Sequence, residues 1–219
     1  MKIFILGAPG YIGGTVAQKL ISIGHEVYGL ARDKNKADKI EELGQIPVVG
    51  TLDDLEVIHN AAANSDVVIN AASTNHVYAI RTIIDALKGT NKTFIHTSGS
   101  SVVSDYAGGS YSHEIFNEYK TFLPLPEKAI WYSLERDLIL ASSNEGVRTI
   151  ILCPCMIFGY GTGLRRESIK ICGNAMKAWE GHGRMAWEVG ARKKRGPKPQ
   201  GLSGKSITPE EIEGPGPVL

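Results

Sequence analysis

Between an apolar run and an amphipathic segment, Gly7-Ala8-Pro9-Gly10-Tyr11-Ile12-Gly13 sets three glycines at three-residue intervals. Such spacing serves phosphate binding. Gly7 permits a tight turn off a strand, Gly10 lets backbone approach a pyrophosphate, and Gly13 lets the next helix pack closely. The helix that follows presents N–H groups and a positive dipole end to an anion. A glycine motif alone is weak evidence, but here it joins a predicted strand to a predicted helix inside one β-α-β unit, the context the motif requires. The reading is a dinucleotide cradle built from residues 7 to 13. A second selector lies at the end of the next strand, where an acid favours NAD and an arginine accommodates the extra phosphate of NADP. The acidic position, 18 residues past Gly13, holds Ala31, and Arg32 follows it. NADP(H) is therefore favoured over NAD(H). The competing reading of Arg32 is a solvated cap, and Asp33 can partly neutralise it.

Positioning such a cradle takes a parallel sheet, and the chain alternates accordingly. Predicted strands cover 2–6, 26–31, 46–49, 66–70, 93–97 and 147–152. Between them lie helical patterns at 11–23, with Ile12, Val16, Leu20 and Ile23 on one face, at 34–43, at 53–63 with Asp53 as N-cap, and at 75–88 with Val77, Ile80, Ile84 and Leu87. Pro126 opens a further helix with the stripe Ile130, Leu134, Leu138 and Ala141. Strands and helices alternating at short spacing predict an α/β fold, a doubly wound, mainly parallel sheet of Rossmann type with three αβα layers. From residue 172 the pattern changes: 172–219 holds nine glycines and five prolines. The expectation is a dinucleotide-binding domain over 1–171 and an irregular, largely disordered Gly/Pro/basic tail over 172–219, with short helices at most near 175–180 and 209–212.

Composition narrows the function classes. Of the 219 residues 42% are hydrophobic and 21% charged, and the net charge is +1, so no global field draws in nucleic acid or membrane. The basic run Arg192 to Lys198 lacks interleaved aromatics and reads as solvated chain. Three cysteines, Cys153, Cys155 and Cys172, make no disulfide framework and no zinc-like pairing of sites. No signal peptide or membrane span is legible, and no metal-ligand spacing is found among the histidines, of which His96 reads as a core residue and His113 as loop. The expectation is a cytoplasmic protein without a nucleic-acid or membrane partner.

Further motifs resemble the short-chain dehydrogenase/reductase superfamily, in particular the extended and atypical NAD-dependent epimerase/dehydratase family. Asp66-Val67-Val68-Ile69-Asn70-Ala71-Ala72 is similar to its fourth strand and turn, Phe94-Ile95-His96-Thr97-Ser98-Gly99-Ser100 to its fifth strand and serine-rich loop, and Gly146 to Pro154 with Phe158-Gly159-Tyr160-Gly161 to its sixth strand and the turn near the nicotinamide. The resemblance, which covers about residues 1–170, implies that Leu52, Ala71, Ala72, Thr97 and Pro154 join Arg32 and residues 7–13 around the cofactor. It also implies a Tyr-x-x-x-Lys catalytic pair, but no tyrosine from Tyr11 to Tyr160 has lysine four residues on. In the family's register the pair falls at Glu127 and Trp131. The substitutes are Tyr132 with Arg136, although arginine cannot shuttle a proton. The family's serine position aligns with Gly99, leaving Ser98, Ser100 and Ser101 as neighbours, and its third-strand aspartate aligns with Thr51.

Two functions follow. One is an NAD(P)-dependent oxidoreductase or epimerase-like enzyme that moves hydride at a sugar nucleotide, aldehyde or ketone. The other is a dinucleotide-binding sensor or scaffold without catalysis. The match ends near Cys172, where the family continues into a substrate domain. The chain is therefore read as a shortened or alternatively spliced form, or as a reading frame that departs from the family's. The resemblance also allows a homodimer through the fourth and fifth helices.

Overall fold

Apolar runs too short to be helices pair side by side, and their order sets everything else. The computed structural model describes residues 1–103, 115, 123–154, 157 and 161–165. Six strands, β1 (Lys2–Leu6), β2 (Glu26–Ala31), β3 (Ile46–Val49), β4 (Val67–Asn70), β5 (Thr93–Thr97) and β6 (Arg148–Leu152), form one sheet in the order β3-β2-β1-β4-β5-β6. Every pairing is parallel. Helices α1 (Tyr11–Ser22), α2 (Lys34–Glu41), α3 (Leu55–Ala63), α4 (Val77–Leu87) and α5 (Ala129–Ser133) alternate with the strands. This is the doubly wound Rossmann arrangement that the sequence predicts.

Alternation along β1 explains the three layers. Ile3 and Ile5 point to one face and pack with Ala17 of α1 and Ala37 and Ile40 of α2. Phe4 and Leu6 point to the other face and meet Ile58 of α3 and Ile80, Ile83, Ile84 and Leu87 of α4. A parallel sheet covered on both faces needs such apolar strands. Pro47 sits in β3 at the sheet edge, where a missing N–H does least harm.

Several predicted details change. The buried side of α1 is Gly13, Gly14 and Ala17, with Ile23 exposed beyond the helix end: small residues let α1 lie close to the sheet. Asp53 does not cap α3. The cap position is Asp54, whose carboxylate instead accepts from the Thr51 N–H (2.6 Å) and hydroxyl (2.8 Å), while Asp53 meets His76 Nε2 at 3.1 Å. The fifth helix departs most. Ile130 is exposed, α5 gives way to a π-helical stretch over Leu134–Ile139, and a 3-10 segment follows over Leu140–Glu145. The wider turn shifts the inward face by one residue, so Ile139 and Ser142 are buried where Leu138 and Ala141 were expected. His96 is buried as predicted. The tail 172–219 with its basic run and two short helices, Cys155, Cys172, His113 and Phe158 to Tyr160 lie outside the described residues, in which no helix is long and apolar enough to cross a membrane.

Candidate dinucleotide site

The site begins where β1 ends. Register pairs Leu6 with Asn70, so Gly7 stands beside Ala71, and the Ala71 N–H donates to the Leu6 carbonyl at 2.9 Å. Gly7 has φ +86°, and a Cβ there would lie 2.6 Å from the Ala71 oxygen. A side chain is excluded on both counts. The turn closes through the Gly10 N–H to the Gly7 carbonyl (2.8 Å), and α1 begins at Tyr11. Gly10 supplies no side-chain cap and the first turn holds no acid. The positive end of the helix dipole is thus left uncompensated for an anion. A Cβ on Gly13 would lie 2.4 Å from the Gly7 oxygen, so glycine there sets how closely α1 sits on the turn.

Above this turn lies a cleft of about 780 Å³ at the switch point between β1 and β4. Its walls include Gly7, Pro9, Gly10, Arg32, Leu52, Ala71 and Ala72, seven of the positions expected from sequence. Of the others, Ala8 is buried, Gly13 packs on the Gly7 backbone, and Ile12 is half-buried in α1. Tyr11 places its ring 2.8 Å from where a Cβ on Gly161 would stand. Thr97 ends β5 and Pro154 follows β6, its carbonyl accepting from the Ser100 N–H at 3.1 Å; neither lines the cleft.

Sequence reasoning missed the cations. Lys36, Lys39 and Arg165 line the same cleft as Arg32. Asp33, the single acid of the lining among the described residues, caps α2 by accepting from the Lys36 N–H (2.9 Å) and pairs with Lys36 Nζ (3.2 Å). Those Lys36 contacts, with Arg32 nearby, hold its carboxyl below the usual range. The helical spacing of Lys36 and Lys39, one turn apart after a capping aspartate, is the signal that would have found them. A cradle that a Cβ would fill, a bare helix start and four cations around one committed acid fit a phosphate-bearing dinucleotide.

A buried pair braces the wall. Asn70 accepts from the Ala72 N–H (3.1 Å), donates to the Ser73 carbonyl (2.8 Å), and its amide lies 3.2 Å from His96 Nδ1. Burial pushes the His96 ring down to about 4, so the ring is neutral and its Nδ1 accepts from the Asn70 amide.

The serine loop and the fifth helix meet away from the cleft. Ser98 is buried, and its N–H donates to the Leu152 carbonyl at 2.7 Å; Ser100 starts a short 3-10 turn. Glu135 is buried beside Ser98 and Trp131, and burial raises its carboxyl. Trp131 also packs where a Cβ on Gly99 would stand, 3.5 Å away. Arg136 lies over the Tyr132 ring at 5.3 Å, yet its guanidinium binds Asp137 twice, at 2.6 and 3.0 Å.

Comparison with known proteins agrees with this geometry. Residues 7–154 match the NAD(P)H-binding family. The chain is 32% identical over 173 residues to an uncharacterized protein of Schizosaccharomyces pombe, covering 74% of this chain and 56% of that one. It is also 32% identical over 183 residues to the oxidase ucsJ of Acremonium sp., covering 74% and 52%. It thus spans little more than half the length of these relatives. Among solved structures, yeast methylglyoxal/isovaleraldehyde reductase Gre2 complexed with NADPH superposes with a TM-score of 0.60 at 18% identity, over 74% of this chain and 60% of that one. The UDP-N-acetylglucosamine 4-epimerase of Bacillus cereus gives 0.57 at 20%, over 80% and 66%. The chain belongs to the NAD(P)H-binding family, as a Rossmann domain whose structural neighbours include reductases and an epimerase.

Proposed function

We propose that the chain binds NADP(H) in preference to NAD(H) and serves an oxidoreductase that moves hydride at the carbonyl of a small aldehyde, ketone or sugar-nucleotide substrate. The observation that carries the cofactor preference is the cation group of Arg32, Lys36 and Lys39 around the end of β2, with Asp33 already committed to the α2 cap. Among the described residues no acid of the cleft lining is free to bind a ribose hydroxyl, and a 2′-phosphate finds opposite charge there. Residues 7–13 hold the pyrophosphate through backbone N–H groups, while Leu52, Ala71, Ala72, Thr97 and Pro154 flank the adenosine and nicotinamide sides. The nicotinamide supplies or accepts the hydride, and the protein orients it. Ser98, Ser100 and Tyr132 are the candidates for holding or moving the substrate proton, with Arg136 supplying charge to Tyr132.

The second reading, a dinucleotide-binding sensor without catalysis, is favoured by two observations. Arg136 is engaged by Asp137, and the Tyr-x-x-x-Lys pair is absent from the sequence. On either reading residues 1–171 form the dinucleotide domain with 172–219 appended. The protein works in the cytoplasm without a nucleic-acid or membrane partner and is compatible with a homodimer.

Calorimetric titration of the full-length chain with NADPH and NADH tests the first claim: tighter binding of NADPH supports it, and equal binding or preference for NADH refutes it. NADPH oxidation across an aldehyde and ketone panel separates enzyme from sensor. Activity unchanged in Tyr132→Phe removes Tyr132 from the mechanism.

A further inference from the structure

The segment Gly161–Arg165 returns to the start of α1, far along the chain from the glycine turn. Its seat is backbone on backbone. A Cβ on Gly163 would stand 2.5 Å from the Gly14 carbonyl carbon and 2.7 Å from its Cα, and a Cβ on Gly14 would stand 3.3 Å from the Gly163 Cα. Gly161 is held likewise, its Cβ position lying 2.7 Å from the Arg165 oxygen and 2.8 Å from the Tyr11 ring. Leu164 packs at the margin of the core beneath α1 and α2. With Gly161, Gly163 and Leu164 anchored, the next residue, Arg165, emerges exposed on the cleft that Pro9 and Gly10 also line. Among the described residues no carboxylate pairs with it, since the one acid of the lining, Asp33, is bound to Lys36.

We propose that this segment is a clasp on the dinucleotide, in which Arg165 pairs with the pyrophosphate. The clasp rests on the dinucleotide-binding reading above. The pyrophosphate is favoured over the 2′-phosphate because the segment is seated on Tyr11 and Gly14, the first turn of the helix that receives the pyrophosphate, whereas the 2′-phosphate belongs at Arg32 after β2. A guanidinium there meets two phosphate oxygens at once, which a lysine cannot do.

The test is calorimetry on the full-length chain with NADPH and NADH, comparing wild type, Arg165→Ala, Arg165→Lys and Arg32→Ala. Arg165 is exposed, so its replacement should leave the unfolding temperature unchanged. Loss of a charge-assisted pair predicts that Arg165→Ala weakens both cofactors by roughly tenfold to a hundredfold, to a similar factor, with Arg165→Lys recovering part. Arg32→Ala should weaken NADPH alone. A second variant, Gly163→Ala, should weaken both cofactors by displacing the segment while Arg165 remains. The clasp is overturned if Arg165→Ala leaves both affinities within about twofold of wild type, or if it weakens NADPH alone, which would move the contact to the 2′-phosphate. Wild-type protein that binds neither cofactor overturns the dinucleotide reading itself, and the clasp with it.

Discussion

Replacing Gly13 with alanine sets two opposed effects against each other at one position. Gly13 lies inside α1, where alanine is favoured over glycine by about 1 kcal/mol. Helix propensity alone therefore predicts a more stable protein. The added Cβ, however, would stand 2.4 Å from the Gly7 oxygen and 2.8 Å from the Gly7 carbonyl carbon. Both atoms are backbone of the turn, so neither can rotate aside. Relief requires α1 to rise from the turn by about 1 Å, and overpacking of this kind costs about 1–3 kcal/mol, here at the upper end. The net is a loss of about 2 kcal/mol, which lowers the melting temperature by about 4–8 °C for a chain of this size. The raised helix also withdraws its first N–H groups from the phosphate. NADPH affinity should then fall at least about tenfold, the worth of one charge-assisted hydrogen bond. Gly24→Ala is the control. Gly24 has φ +86° with nothing within 4 Å of its Cβ position, so it costs only the ~1–2 kcal/mol of left-handed strain and leaves NADPH binding alone. Thermal unfolding by circular dichroism and calorimetry with NADPH read both quantities. A Gly13→Ala protein that melts at or above the wild-type temperature and binds NADPH normally would refute the close-approach argument.

Arg32→Ala should weaken NADPH by roughly tenfold or more while leaving NADH within about twofold, measured by the same titration, since it removes one charge-assisted phosphate contact; equal losses would place Arg32 elsewhere. His96 is neutral because burial holds it near 4, below its usual 6.5, so its contribution to stability is present above that usual value and drains away as pH falls between the two, about 3 kcal/mol in all. His96→Gln should flatten the acid limb of a melting-temperature profile, and a limb parallel to wild type would contradict this. Glu135 has the opposite sign: its raised carboxyl contributes stability below the ordinary glutamate value, and that contribution is lost as pH rises through the folded value. Glu135→Gln should therefore gain on wild type in melting temperature as pH rises above the ordinary glutamate value, and a constant offset across the range would refute it.

The sheet was legible because its signal is local. Five of the six strands are apolar runs bounded by glycine or by Asn/Asp turn residues, and the exposed edge strand β3 is a β-branched run around Pro47. Gly7, Gly10 and Gly13 were legible for the same reason, since a strand, a turn and a helix start are read from neighbours in sequence. What escaped depended on contacts distant along the chain. Ile130 looked like the head of an apolar stripe, yet nothing in the stripe reveals the π-helical turn that rotates the following residues inward. Asp53 had the right residue type for a cap, but the geometry after β3 gives the cap position to Asp54 and leaves Asp53 to His76. Arg165 is separated from Gly10 by 155 positions, and only the meeting of Gly14 with Gly163 brings them to one cleft.

The π-helical turn has a consequence for how the chain tolerates changes of length. A stretch such as Leu134–Ile139 holds one residue more than an α-helix spanning the same rise. Deleting one residue there lets the backbone relax into ordinary helix without moving either end, so the deletion is absorbed on the spot. Deleting one residue from α4, which has no such slack, would turn everything after it by about 100° and carry its apolar side off the sheet. The fifth helical segment is thus the place in this domain where an evolving gene can lose a codon and keep the fold, with Ile139 and Ser142 held at the buried positions.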